Sequence, residues 1–275
     1  MNIHRKVSEY FSGLGDTHSH LNSPAFDHDR EHVVARAQEA GLEFIVDVAV
    51  DLASAKRASD LSRSYDGFTL PTIGVHPEIA VPGSGMYDDG LSEERIDKMM
   101  VSIRSSLTSP DANFRMIGEC GLDYYWLKKN DLTDDQVEHS KKLQKYLFRE
   151  QVKIAKEFKL PLTIHSRDAF KDCVEIVAEF KGEVTGIFHS FTYGYKKAKR
   201  VLELGIGIGI NGIATYESSD LKSVVGKLMG EGSYRIEEYY QRGIFFETDS
   251  PYLSPEPRRG ERNQPANVTD IWDFI

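Results

Sequence analysis

Short apolar runs alternate with longer stretches of helical period along most of this chain. The first run is brief, Leu14-Gly15-Asp16-Thr17-His18-Ser19-His20. Residues 27–40 follow with Val33, Val34, Ala37 and Ala40 on one helical face, and Gly41 stops the pattern. A second run, 44–50, leads into a helix over 52–65 with Leu52, Ala55, Ala58 and Leu61 on one side. The third, 69–75, ends in His76-Pro77. A loop rich in Gly, Pro and Asp (81–90) comes next. Ile96, Met99, Met100, Ile103 and Leu107 then mark a helix over 92–107. The fourth run starts at Met116 and reaches Glu119. A polar segment, 128–135, precedes the longest expected helix, 135–158.

The second half continues the pattern. Residues 160–164 end in His165 and precede a helix over 169–180. Residues 184–188 end in His189 and precede a short helix over 195–204. Residues 205–210 end in Asn211-Gly212 and precede a helix over 221–229, with a tyrosine-rich segment at 234–240. The last run, 244–247, ends in Thr248-Asp249-Ser250-Pro251. Strand–helix alternation repeated through eight runs predicts a single (β/α)8 barrel over 1–275. An open doubly wound sheet is the alternative. It would carry a Gly-x-Gly-x-x-Gly turn after its first strand and gather its site at one switch point. Here that turn is missing and polar residues cap almost every run, as catalytic groups do at the mouth of a barrel.

Those caps carry the chemistry. On a strand, residues i and i+2 face one side about 6.8 Å apart, so His18 and His20 can converge on one cation. Asp16 shares their face and is a candidate to orient a histidine ring. His28 and His32 have the spacing of a helical ligand pair but lie in a charged helix away from any strand end. Of nine histidines, His18, His20, His76, His165 and His189 sit at strand ends. A lone histidine there is ordinarily a hydrogen-bonded core residue. His18, His20, His165 and His189 together with Glu119 and Asp249 make six candidate ligands around one mouth. Imidazole plus carboxylate suits zinc, manganese or iron, with magnesium where carboxylate and water dominate. Six ligands suit two divalent ions sharing a carboxylate. Asp249 can also accept a proton from a metal-bound water. Arg167 points to the side of His165 and can hold an anionic group; its plain alternative is a surface ion pair. Cys120 has no base beside it and reads as a small buried residue.

Composition narrows the partners. The net charge of -9 disfavours long duplex nucleic acid as a tight ligand. Two basic clusters remain, Lys196, Lys197, Lys199 and Arg200, and Arg258, Arg259 and Arg262. Two cysteines, Cys120 and Cys173, are too few for a disulfide framework and fit a reducing, cytoplasmic setting. Residues 1–13 have no apolar core of a leader, and no window approaches the ~18 apolar residues of a membrane span. No protein partner is evident.

The motifs DTHSHL (16–21), GVHPE (74–78), IGECGLDYY (117–125), PLTIHSRDA (161–169), FHSFTYG (188–194), GIGING (207–212), ETDSPYL (247–253) and RNQPANV (262–268) run in order through the chain. In them the sequence resembles the TatD family of metal-dependent deoxyribonucleases, within the amidohydrolase-like barrels. The resemblance implies hydrolysis of phosphodiester bonds. It also implies that His18, His20, Glu119 and Asp249 hold one ion, that Glu119, His165 and His189 hold the second, and that His76 contacts the phosphate. The family continues beyond RNxP with a further helical region. Here an eighth helix is absent or rudimentary, which predicts exposed apolar surface on strands one and eight.

Two other function classes compete with a DNA-cleaving enzyme. One is an amidohydrolase-type enzyme acting on a small amide or ester, or an aminoacyl-tRNA deacylase. Small-amide enzymes on this barrel often use a modified lysine at the fourth strand, where this chain has Glu119. The other is a non-catalytic scaffold, which has no physical need of six converging ligands. A recessed mouth on an acidic chain predicts action on single-stranded DNA ends, with Tyr124, Tyr125 and Trp126 as candidates to stack on bases.

Overall fold

The structure, a computed structural model, describes residues 11–275; most of the amino-terminal stretch considered as a leader lies outside them. Eight strands form, β1 (Gly15–Ser19), β2 (Phe44–Asp47), β3 (Thr69–Ile73), β4 (Met116–Asp123), β5 (Leu162–Arg167), β6 (Gly186–Phe188), β7 (Ile206–Ile210) and β8 (Ile244–Phe246). They pair in parallel and in sequence order, each with the next. The ends of β8 and β1 close the ring: the Asp249 N–H donates to the His18 carbonyl and the His20 N–H to the Ser250 carbonyl, both at 2.8 Å. The fold is the (β/α)8 barrel that the alternation predicts.

Helices wrap the barrel. They are α1 (Arg30–Glu39), α2 (Leu52–Ser64), α3 (Glu93–Thr108), α4 (Tyr125–Lys129), α5 (Asp134–Phe158), α6 (Phe170–Ala178), α7 (Tyr195–Leu202), α8 (Leu221–Met229), α9 (Ile236–Gln241) and α10 (Val268–Phe274). Reciprocal capping boxes start α2 at Asp51/Ser54 and α5 at Thr133/Gln136. Each satisfies two backbone donors that the first turn leaves unpaired. Two segments without a clear period are helical after all: α4 begins before the polar stretch 128–135, and α9 occupies the tyrosine-rich stretch. Both are at most six residues long, too short to show periodicity.

The expected apolar exposure on strands one and eight does not occur. All five residues of β1 and all three of β8 are buried. Tyr240 of α9 stacks on Phe245 at 5.1 Å, and Trp272 of α10 meets Phe246 edge-on at 5.1 Å. Phe11 adds a third ring against Phe245. Large aromatic side chains cover with a few residues what a longer aliphatic helix would cover.

One irregularity positions the site. Between Ile117↔Leu162 and Cys120↔Ile164, β4 uses one residue more than β5. Such a bulge twists a strand and re-aims a side chain. Gly118 and Gly121 flank Glu119 and Cys120, both at φ 138°. A Cβ on Gly121 would lie 2.0 Å from the His165 carbonyl oxygen, so only glycine fits there. The bulge leaves Glu119 buried and turned into the mouth.

Candidate metal centre

Glu119 stands at the centre, and its two oxygens face different neighbours. Oε2 lies 3.6 Å from Nε2 of both His18 and His20. Oδ1 of Asp249 lies 3.7 Å from His18 Nε2 and 3.4 Å from His20 Nε2. On the other side, Oε1 is 2.9 Å from His165 Nδ1 and 2.9 Å from His189 Nε2, with His76 Nε2 at 3.5 Å. His165 Nδ1 and His189 Nε2 are themselves 3.1 Å apart.

These separations test whether the residues suit a metal. Donors about 2.1 Å from a tetrahedral centre stand about 3.4 Å from one another. The His18, His20, Glu119 and Asp249 atoms are spaced in that way, longer than hydrogen bonds. His18 Nε2 is buried and has no hydrogen-bond partner among the described residues. A buried nitrogen without a partner is costly, and a cation between these atoms would satisfy it. Among the described residues three groups of His and carboxylate side chains are close enough to hold an ion: His18, His20 and Glu119; His18, His189 and Glu247; His76, Glu119 and His165.

The far side of each ring is held. His20 Nδ1 is 3.0 Å from the Val48 carbonyl, which can only accept, so Nδ1 carries hydrogen and Nε2 points its remaining valence into the cluster. His18 Nδ1 lies 3.0 Å from Thr163 Oγ1, and His165 Nε2 lies 3.0 Å from Asp123 Oδ2. Electrostatics follow from the crowding. Burial pushes His18 down to about 4, with the charge of His189 adding to it. Burial also opposes the charged form of His20 and His165, yet neighbouring carboxylates prevail and push them up to about 9 and about 10. For Glu119, burial is overcome by His189, His76, His165 and His18, and its carboxyl sits well below the usual range.

The family described as TatD related DNase matches residues 15–275. The chain belongs to the TatD family. It is 33% identical over 263 residues to the uncharacterized metal-dependent hydrolase YabD of Bacillus subtilis, covering 95% of this chain and 89% of that protein. It is 28% identical over 263 residues to human deoxyribonuclease TATDN3, covering 96% and 86%. The crystal structure of the TatD homolog YjjV from Escherichia coli superposes with a TM-score of 0.74 at 24% identity, covering 94% of this chain and 88% of that one. This TatD chain therefore joins a family of metal-dependent hydrolases.

Within this TatD barrel the six expected ligands and His76 meet at one mouth, while other expectations change. Asp16 does not touch a ring. Its carboxylate accepts from the backbone N–H of His18 and from both the N–H and hydroxyl of Thr248, tying β1 to the end of β8. These three donors take up both of its oxygens. Tyr124 is not free to stack on a base, because its ring is buried and its hydroxyl donates to Asp172 at 2.8 Å. Trp126 donates from its indole nitrogen to Glu78 at 3.0 Å, and Tyr125 lies under the Arg167 guanidinium at 3.7 Å. Arg167 itself is exposed at the end of β5 and forms no ion pair among the described residues. His28 and His32 are exposed and belong to none of the three ligand groups. Arg258, Arg259 and Arg262 are ion-paired with Asp270, Glu256 and Asp29. Cys120 is fully buried, and burial holds its thiol well above the ordinary range.

Three residues at the centre were not singled out as site residues from the sequence. Asp123 orients His165. Thr163 supports His18. Glu247, fully buried, accepts from the Ser190 N–H at 2.5 Å and stands 3.8 Å behind His189 Nδ1. Even spacing was the available signal. Thr163 is two residues before His165 within β5, and Asp123 four after Glu119 within β4, and even spacing along a strand keeps one face; Glu247 lies past the end of β8, where that signal does not apply.

Proposed function

We propose that this chain hydrolyses phosphodiester bonds of DNA with two divalent ions, magnesium, manganese or zinc, both of which Glu119 would help to hold. The observation that carries the reading is the division of the Glu119 carboxylate, Oε2 toward His18, His20 and Asp249 and Oε1 toward His165, His189 and His76. In this reading His18, His20, Glu119 and Asp249 hold one ion, and Glu119, His165 and His189 the other. Two ions bound there supply Lewis acidity toward phosphoryl oxygens and a water acidic enough to ionise near neutral pH. Asp249, partly open to the mouth, accepts a proton from the attacking water. His76 binds a phosphoryl oxygen. Arg167, exposed and without a carboxylate partner among the described residues, holds the backbone of the substrate.

DNA as substrate draws on the family description and on the name of the human relative. Glu119 at the fourth strand, where a small-amide enzyme on this barrel often carries a modified lysine, favours the same reading. The acidic net charge and the buried centre favour single-stranded ends over duplex. End-labelled single-stranded, blunt duplex and closed circular DNA, each incubated with manganese and with chelator, test this. Stepwise trimming of single-stranded ends, far slower attack on blunt duplex, intact circles and loss of all activity with chelator are expected. Rapid linearisation of circles overturns the preference for ends. Hydrolysis of aminoacyl-tRNA or small esters with no cleavage of DNA overturns the nuclease reading.

A further inference from the structure

The aromatic residues expected to meet bases from the Glu119 strand are turned inward or covered, but another ring stands open at the mouth. Tyr252 is 60% exposed, more than the other exposed tyrosines among the described residues, Tyr87 and Tyr195. It follows Asp249 by three residues, and its ring centre is 6.3 Å from that of His20, inclined at 67°. Single exposed aromatics are common on protein surfaces, so exposure alone means little. The backbone beneath this one is unusually well held. The Tyr252 N–H donates to the Asp249 carbonyl at 2.9 Å. Its carbonyl accepts from the side-chain amide of Asn263 at 2.6 Å, and the same amide donates to the Thr248 carbonyl at 3.0 Å. Asn263 is fully buried, and its own carbonyl oxygen accepts from Gln264 and Asn267. One buried amide thus fixes the residue before Asp249 and the residue carrying the exposed ring. The left-handed backbone of Asp249 (φ 59°) and Leu253 (φ 55°) turns the chain on either side.

The opposite rim is built differently. In an eight-stranded ring, the end of β5 lies across from the junction of β8 and β1. Arg167 occupies that far rim, its charge over Tyr125 and without an ion-pair partner among the described residues. A cation on one rim and an open aromatic face on the other suit a chain of alternating phosphates and flat rings.

Resting on the nuclease reading above, we infer that Tyr252 is the platform on which a nucleobase flanking the scissile phosphate stacks, with Arg167 holding the strand on the other side of the centre. Every base has a π-face, so such a platform tolerates sequence while requiring a base. It also favours a single strand, whose bases are free to turn onto the ring.

The test uses manganese-loaded protein and two single-stranded oligonucleotides, one intact and one with an abasic residue beside the bond cleaved. Base–aromatic stacking corresponds to a loss of about 5- to 150-fold on truncation. Tyr252→Ala is expected to lower kcat/KM on the intact strand by about tenfold, while Tyr252→Phe stays within twofold of the wild type. Removing the base should cost the wild type a similar factor and cost Tyr252→Ala less than twofold. A disturbance passed to Asp249 would instead lower both substrates alike, and that result overturns the inference. So does a Tyr252→Ala variant as active as the wild type on the intact strand. If the wild type cleaves neither oligonucleotide, the nuclease reading itself falls and the inference falls with it.

Discussion

The two faces of the Glu119 carboxylate are built on different terms. Around Oε2, His18, His20 and Asp249 stand 3.4–3.7 Å apart, and the ring nitrogen of His18 finds no partner. Around Oε1, His165 and His189 approach to 2.9 Å and touch each other at 3.1 Å. The first face is held open from behind, by Thr163 and the Val48 carbonyl. The second has closed into hydrogen bonds. An open set of donors loses little on taking up a cation, because its geometry is already set. A closed set must first give up its internal bonds. The comparison teaches that one carboxylate can face a prearranged set of donors on one side and a closed, hydrogen-bonded set on the other.

The largest effect should come from the shared ligand. Glu119→Ala removes a donor from both faces, and His165→Ala from one. Elemental analysis should find more metal lost from Glu119→Ala, and its activity should fall by several orders of magnitude with the fold retained. Near-full occupancy in Glu119→Ala would break the idea of a shared carboxylate.

The order of filling comes next. Calorimetric titration of metal-free protein should resolve a tight step and a weaker one. Asp249→Asn should remove the tight step and His165→Ala the weak one. The reverse assignment would mean that the closed face, not the open one, is prearranged.

A smaller effect belongs to Asp123, which touches His165 through Oδ2 while Oδ1 accepts from the N–H groups of Tyr125 and Trp126. Outer partners of this kind are worth about 10- to 100-fold in metal affinity. Asp123→Asn should weaken the second step by that factor and leave the first within experimental scatter. Weakening of both steps would show that the two faces are not independent.

The smallest effect sharpens what props the open face. Asp47 accepts from the N–H and side-chain amide of Asn22, and that amide also donates to the Val48 carbonyl that His20 uses. Burial pushes the Asp47 carboxyl from 3.8 up to about 6. Between those values the folded chain holds a proton that the unfolded chain has released. The stability from this group is therefore complete below about 4 and is lost as pH rises to about 6, on the order of 1–3 kcal/mol. Asp47→Asn has no such titration. In thermal melts from pH 4 to 6.5, the variant should gain on the wild type as pH rises. A constant difference would remove Asp47 from this role.

Much of this architecture is readable in one dimension. Short apolar runs alternating with helical stretches impose strand–helix repetition, and His18, Glu119, His165, His189 and Asp249 at their ends declare the mouth. Those signals are local, since periodicity and strand-end placement depend only on neighbours along the chain. The short helices α4 and α9 carry too few residues for a period, and the aromatic cover over β8 depends on rings distant in sequence. Nor does spacing say which way a side chain turns. Tyr124 goes inward to Asp172, Asp16 to Thr248, and Tyr252 outward, because each answers to partners that only folding brings near. The split of Glu119 between two faces is of the same kind. It depends on a bulge in β4 against β5 and on five histidines from four strand ends, and a residue's own sequence neighbours contain no record of either.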